Sequence, residues 1–313
     1  MTEKLLHLGV QALGCAYLTV LGCLPGAVAE VRAREARVAV PVASVFASPT
    51  DQAERVTQGL LWERVLVLGH KGPWSRVLLP DQYRTPEGYP GWMLSRHLVL
   101  DTPARLDQVL MVGVARAVVR LQPRPDAPVL SVAWLSSRLP WDRSEGEWFR
   151  VALPDRKEPG WVHESEVLIR CLPPNGRDLL ETAWRLEHTP YLWGGMTPLG
   201  IDCSGLVHTV FKVHGRLLPR DADQQFQVGV PVEEADLRPG DLVFFGSDPD
   251  HVNHVGLYLE EGFFLDASGR KGVDQSRLDD PKARETFLGG RRIFGAEEKE
   301  LPGGAGTGGG VDR

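Results

Sequence analysis

Between residues 37 and 170 the apolar positions fall in short runs separated by Gly, Pro and Asp. Arg37–Phe46, Arg64–Leu68, Trp74–Leu79 and Gly88–Met93 read as strands of one unit. Ala117–Leu121, Val129–Leu135, Glu147–Leu153 and Pro159–Val162 read as strands of a second. The two units echo each other. Trp74-Ser75-Arg76-Val77 answers Trp148-Phe149-Arg150-Val151, and Pro90-Gly91-Trp92-Met93 answers Pro159-Gly160-Trp161-Val162. The offset marks an internal repeat of roughly 70 residues, and strands this short with turn-bounded spacing predict small barrels. Most of the tryptophans are expected in the cores.

Downstream the pattern changes. Leu206–Phe211 is an apolar run directly behind Asp202-Cys203-Ser204-Gly205, which predicts a helix with the cysteine at its N-terminus. Leu242–Phe245, Val255–Leu259 and Gly262–Ser268 read as buried strands, the last two joined by a turn at Glu260-Glu261-Gly262. Helix and strand together predict an α+β domain after the two all-β units.

That placement gives Cys203 chemistry. A helix N-terminus offers unpaired N–H groups and the positive end of the dipole, and both favour a thiolate. A nucleophile needs a base and the base an orienting group. His254 opens the second of the three strands, and the hairpin can set Asp266 beside its ring. His251, in the polar run Ser247–Asp250, is a rival base that reads as a loop residue. A metal site of His251, His254 and Asp266 is possible by residue type and matches no ligand motif. His208 reads as a helix-face residue.

Five segments, Thr189–Gly195 (TPYLWGG), Ile201–Val207 (IDCSGLV), Leu218–Gln225 (LPRDADQQ), Leu237–Phe245 (LRPGDLVFF) and His254–Leu259 (HVGLYL), resemble the NlpC/p60 cysteine peptidases in order and spacing. The resemblance implies a papain-like core, Cys203 as nucleophile, His254 as general base, and Tyr191 beside the thiol. It also implies that the backbone N–H of Cys203 helps hold an oxyanion. The third catalytic position, most often His in the family, is Asp266 here, which can still accept from the imidazole and fix its tautomer. The upstream units resemble bacterial SH3-like domains. Two such units before this core is the layout of γ-D-glutamyl-L-diamino-acid endopeptidases, which cut peptidoglycan stem peptides. The layout implies Glu63 and Tyr89 as ligands of a free L-Ala amine. Trp62 stands where the family has glycine beside that glutamate. Asp202, Trp193 and Ser204 are further substrate-binding candidates, and Arg220-Asp221 is expected to brace the loop after the helix. Ala222 replaces the serine that often follows Arg-Asp. Two rival readings are a non-catalytic wall-binding protein and an amidase or acyltransferase on another substrate.

The expected layout is a signal peptide over 1–29, SH3-like units over 36–101 and 106–170, the catalytic domain over 174–295, and a disordered, glycine-rich tail over 296–313. With 313 residues, 42% of them hydrophobic, the chain can bury a sizeable core. A net charge of −6 without a basic run argues against nucleic-acid binding. Cys15 and Cys23 fall in the N-terminal segment, so Cys171 and Cys203 imply no disulfide framework, and Cys171 reads as a structural thiol. Lys4, the apolar stretch Leu5–Leu24 and Ala27-Val28-Ala29 suggest export to the cell envelope. The alternatives are lipid attachment at Cys23 and an apolar helix opening a cytoplasmic protein. No other segment is apolar enough to span a membrane. The expected partners are stem peptides or muropeptides; the expected state is a monomer needing no metal or organic cofactor.

Overall fold

The computed structural model describes residues 33–100, 108–170 and 175–294. The leader expected over 1–29, the thiols Cys15, Cys23 and Cys171, and the tail expected over 296–313 lie outside these residues. Among the described residues no helix is long and apolar enough to cross a membrane.

The first module is a sheet of β1 (Arg34–Val38), β2 (Val42–Phe46), β3 (Arg55–Leu60), β4 (Arg64–Lys71), β5 (Trp74–Leu79), β6 (Tyr89–Leu94) and β7 (Leu98–Leu100), in the order β3-β2-β6-β5-β4-β1-β7. The second contains β8 (Val109–Val112), β9 (Arg116–Arg120), β10 (Val129–Trp134), β11 (Arg138–Glu145), β12 (Trp148–Val151), β13 (Gly160–His163) and β14 (Val167–Leu168). Its order is β10-β9-β13-β12-β11-β8-β14. Strand for strand these are the same topology, so the sequence echo is an echo of structure. The paired Trp-x-Arg-Val segments lie on β5 and β12, and the paired Pro-Gly-Trp segments at β6 and β13. The repeated glycine has one cause in both. A Cβ at Gly91 would stand 2.4 Å from Val45, and one at Gly160 would stand 2.2 Å from Val119.

The modules are chained by equivalent turns. The β3–β4 turn of the first module carries Leu61 and Trp62, which pack into the core of the second beside Leu110 and Leu139. Trp62 also donates its indole N–H to Ala152 O at 2.8 Å. The β10–β11 turn of the second module sends Leu135 into the core of the third unit, among Leu179 and Ala183. Trp62 and Ser136 occupy the same place in the two turns, and both hold left-handed backbone, at φ 68° and 69°.

The third unit has the helices α1 (Gly176–Trp184), α2 (Cys203–Val213), α3 (Ala222–Gln225) and α4 (Pro281–Thr286). It has a short hairpin of β15 (Met196–Thr197) and β16 (Gly200–Ile201). The main sheet holds β17 (Val230–Val232), β18 (Leu242–Gly246), β19 (Val252–Tyr258), β20 (Phe263–Ser268), β21 (Gly272–Arg277) and β22 (Phe287–Arg292), ordered β17-β22-β18-β19-β20-β21. α2 is apolar on nearly every side and fully buried between α1 and the sheet, which fixes its N-terminus in space.

Candidate active site

Asp202 caps α2. Its Oδ1 accepts from the N–H of Gly205 at 2.7 Å, and Oδ2 accepts from the N–H of Gly194 at 2.8 Å. Cys203 follows as the first helical residue, buried, with its own N–H in the turn that has no intrahelical acceptor. Gly205 is required by crowding: a Cβ there would lie 2.4 Å from Gly195 O.

Arg220 lies beneath this turn, 1% exposed. It grips Asp202 with two bonds, Nη1 to Oδ1 at 2.9 Å and Nη2 to Oδ2 at 2.8 Å. It also donates to Ser204 Oγ at 2.9 Å, to Gly195 O at 3.3 Å and to Thr57 Oγ1 of β3 at 3.0 Å. All five guanidinium donors are therefore engaged. This locates two of the sequence candidates. The carboxylate of Asp202 bonds Arg220 and backbone N–H groups, and the residue also lines the cleft at Cys203. Ser204 is likewise bonded to Arg220.

His254 and Asp266 come from β19 and β20, which pair through Leu257↔Leu265 and Tyr258↔Phe264. His254 Nε2 lies 2.7 Å from Asp266 Oδ2, and Asp266 Oδ1 accepts from Ser276 Oγ on β21 at 2.8 Å. Nδ1 is left for Cys203. Burial alone would lower the pKa of His254, but hydrogen bonds to Asp266 and Cys203, with attraction to both, push it up to about 10. Tyr191 bridges to Ile201. Its hydroxyl is pushed up to about 12, first by burial and then by Cys203 and Asp202. The candidate triad and Tyr191 are thus brought together. His251 is not: its side chain is 73% exposed, and it bonds Asp248 at 2.8 Å. His208 is fully buried in α2 and bonds Leu218 O through Nδ1 at 2.8 Å. Burial, then Lys212 and Arg220, lower it to about 3.

Cys203 lies at a cleft of about 690 Å³ whose other wall is the first module. Tyr89 reaches it from β6, and its hydroxyl donates to Asp221, 3.1 Å from Oδ2. Trp193 lines it, 58% exposed, and its indole N–H donates to Glu54 Oε1 at 2.7 Å. Glu54 and Asp221 are cleft carboxylates that the sequence reading passed over. Glu54 precedes β3, a strand without a clear apolar run, and Asp221 is expected only as a brace beside Arg220. Burial raises the pKa of Asp221 against the pull of Arg220 and of Arg84, its ion-pair partner. Glu63 needs correction. It does not line this cleft; its side chain is 2% exposed beside Lys212 of α2, past the end of β3 opposite Glu54.

A profile of the NlpC/P60 family matches residues 188–292. A Bacillus cereus protein named gamma-D-glutamyl-L-lysine dipeptidyl-peptidase is 33% identical over 76% of this chain and 75% of its own. The chain belongs to the NlpC/P60 family. A Bacillus subtilis protein of the same name is 32% identical over 67% of this chain and 71% of its own. A solved NlpC/P60 family protein from Bacillus cereus superposes with a TM-score of 0.75 at 26% identity, covering 83% of this chain and 99% of that one. The architecture is therefore α+β with an all-β N-terminal region, and the chain is a hydrolase of the cysteine-peptidase type.

Proposed function

We propose that this NlpC/P60 protein hydrolyses the γ-D-glutamyl–L-diamino acid bond of peptidoglycan stem peptides, with Lys, Orn or diaminopimelate in third position, and works in the cell envelope. The observation that carries the reading is the two-sided cleft: Cys203 at one wall, and Glu54, Tyr89 and Asp221 gathered around it from two modules. Two or more acidic groups suit an ammonium ligand. A free L-Ala amine held by Glu54, Tyr89 and Asp221 would put the γ-carbonyl of D-Glu at the sulfur. The names of the Bacillus relatives point the same way.

In this mechanism Cys203 and His254 rest as a thiolate–imidazolium pair. The sulfur attacks the carbonyl carbon, and the oxyanion is met by the N–H of Cys203. The C–N bond breaks as His254 gives its proton to the departing amine, leaving L-Ala-γ-D-Glu as a thioester. Neutral His254 then takes a proton from water, whose oxygen attacks the thioester and releases the dipeptide acid and the thiolate. Asp266 holds the ring through both halves. Mass spectrometry of L-Ala-γ-D-Glu-L-Lys should give the dipeptide and free lysine. Cys203→Ala should give neither, and N-acetylation of the alanine should sharply slow the native enzyme. Full activity in the Cys203 variant, or equal rates on the acetylated peptide, would overturn the corresponding half of the reading.

A further inference from the structure

Arg220 and Lys212 are two buried cations at the two ends of the same stretch of chain, and both look to the first module for a partner. Arg220, which holds the cap before Cys203, donates its Nε–H to Thr57 Oγ1 at 3.0 Å. The hydroxyl of Thr57 donates to Gln82 Oε1. The amide nitrogen of Gln82 donates to Glu63 Oε1 at 2.8 Å and to Gln58 O at 2.8 Å. Glu63 Oε2 accepts from the N–H of Leu60 at 2.8 Å, and Oε1 stands 3.5 Å from Lys212 Nζ in the last turn of α2. Thr57 and Gln82 are 0% exposed and Glu63 is 6% exposed. The path therefore runs from the cap of α2 out through three side chains of the first module and back to the C-terminal turn of α2. In parallel, the neighbouring Gln58 accepts through Oε1 from the N–H of Met196 at 2.9 Å, which ties in the segment just before α2.

We propose that Thr57, Gln82 and Glu63 are positioning residues for the thiol: the first module, besides walling the cleft, sets the orientation of α2 and so of Cys203. The directions of the bonds support this. Arg220 gives all its donors, so Thr57 must act as acceptor toward it and can donate only toward Gln82. Gln82 accepts that bond through Oε1 and must present its amide nitrogen to Glu63. Each partner fixes the rotamer of the next, and no member can turn without stranding a buried group. The guanidinium is what holds Asp202 and Ser204, the two residues that flank Cys203. A small rotation of Arg220 passes directly to the sulfur and to the N–H beside it. The proposal rests on Cys203 as the nucleophile.

The test uses the full chain. Thr57→Val keeps shape and removes both bonds of the hydroxyl, while Thr57→Ser keeps both. The expected result is a kcat on L-Ala-γ-D-Glu-L-Lys that falls about ten- to a hundredfold in the Val variant. KM should stay within about twofold, and Ser should restore kcat. The rate of iodoacetamide alkylation of the Cys203 peptide at neutral pH, read by mass spectrometry, should fall with kcat. Circular dichroism must show the variant folded at the assay temperature. If it is unfolded, Glu63→Gln, isosteric and farther from the sulfur, is expected to lower kcat and alkylation together by a smaller factor. Folded variants with native kcat and alkylation would overturn the proposal, as would a loss confined to KM or a loss that Ser does not restore. Alkylation needs no substrate. If the native protein cleaves no stem peptide yet its alkylation depends on Thr57, the substrate reading fails and the positioning role stands.

Discussion

The imidazole of His254 and the carboxylate of Asp266 share a 2.7 Å hydrogen bond across neighbouring strands, and Ser276 holds the other carboxylate oxygen at 2.8 Å. The acceptor is thus fixed on both sides before any substrate arrives, and the imidazole ring is turned with Nδ1 toward the thiol. A negative partner also favours the imidazolium, which a neutral orienter would do less strongly.

The first prediction concerns that charge. Asp266→Asn should lower kcat by about 10²- to 10⁴-fold. It should also move the alkaline limb of kcat/KM. In the native enzyme that limb follows loss of the His254 proton near 10. Without the Asp266 charge the proton leaves more easily, so the limb should fall to lower pH. A pH–rate profile that keeps its native alkaline limb in the Asn variant would refute the assignment.

The second concerns two histidines with opposite shifts. An NMR titration of the assigned imidazole signals should find His254 protonated up to about 10 and His208 neutral down to about 3. The signs for stability follow. His254 is raised, so its contribution is full below the ordinary histidine range and is lost as pH climbs through that range to about 10. His208 is lowered, so the unfolded chain takes up its proton first, and stability falls as pH drops from the ordinary range toward 3. Titration of His254 near its unperturbed value would contradict the bonded arrangement.

A third addresses the cleft carboxylates. Glu54→Gln keeps an acceptor for the Trp193 indole and removes a charge facing the cleft. It should raise KM for the free-amine peptide about tenfold, equivalent to about 1.4 kcal/mol, and leave the acetylated peptide nearly unaffected. Glu63→Gln should not alter the preference between the two peptides. Steady-state kinetics on the pair separates the residues.

A fourth turns on burial. Arg220→Met leaves Asp202 without its charge partner in the interior, at a cost of about 3–5 kcal/mol by urea unfolding. Arg220→Lys should recover little, because a lysine cannot supply the two-pronged grip on Asp202 together with the Thr57 and Gly195 bonds. A loss under about 1 kcal/mol in the Met variant would mean that the pair is exposed to solvent.

What could be read from the chain was what local pattern determines. The apolar runs gave β4, β5, β6, β9, β10, β12, β13 and the three strands around His254, and the small-residue turn before Leu206 gave the start of the helix and the cysteine. β3 and β11 escaped because Arg55–Leu60 and Arg138–Glu145 are largely polar and are held by their neighbours in the sheet. Glu63 and Glu54 show the limit at the site. They sit nine residues apart across one strand, and which of them faces the cleft depends on how the first module docks on α2, a long-range matter that spacing does not carry. Arg220 was visible as a brace; that its fifth donor crosses into another module was not.

The two equivalent turns make the repeat directional. Both turns send a leucine onward, Leu61 into the second module and Leu135 into the third unit, and they differ at the left-handed position that follows, Trp62 against Ser136. The same turn thus joins each module to the next part of the chain, with different side chains at its tip. Because the first module also bonds the third unit directly, through Thr57 and Gln58, the three parts close on one another, and lost packing at Trp62 or Leu135 should reach the cleft by two routes at once.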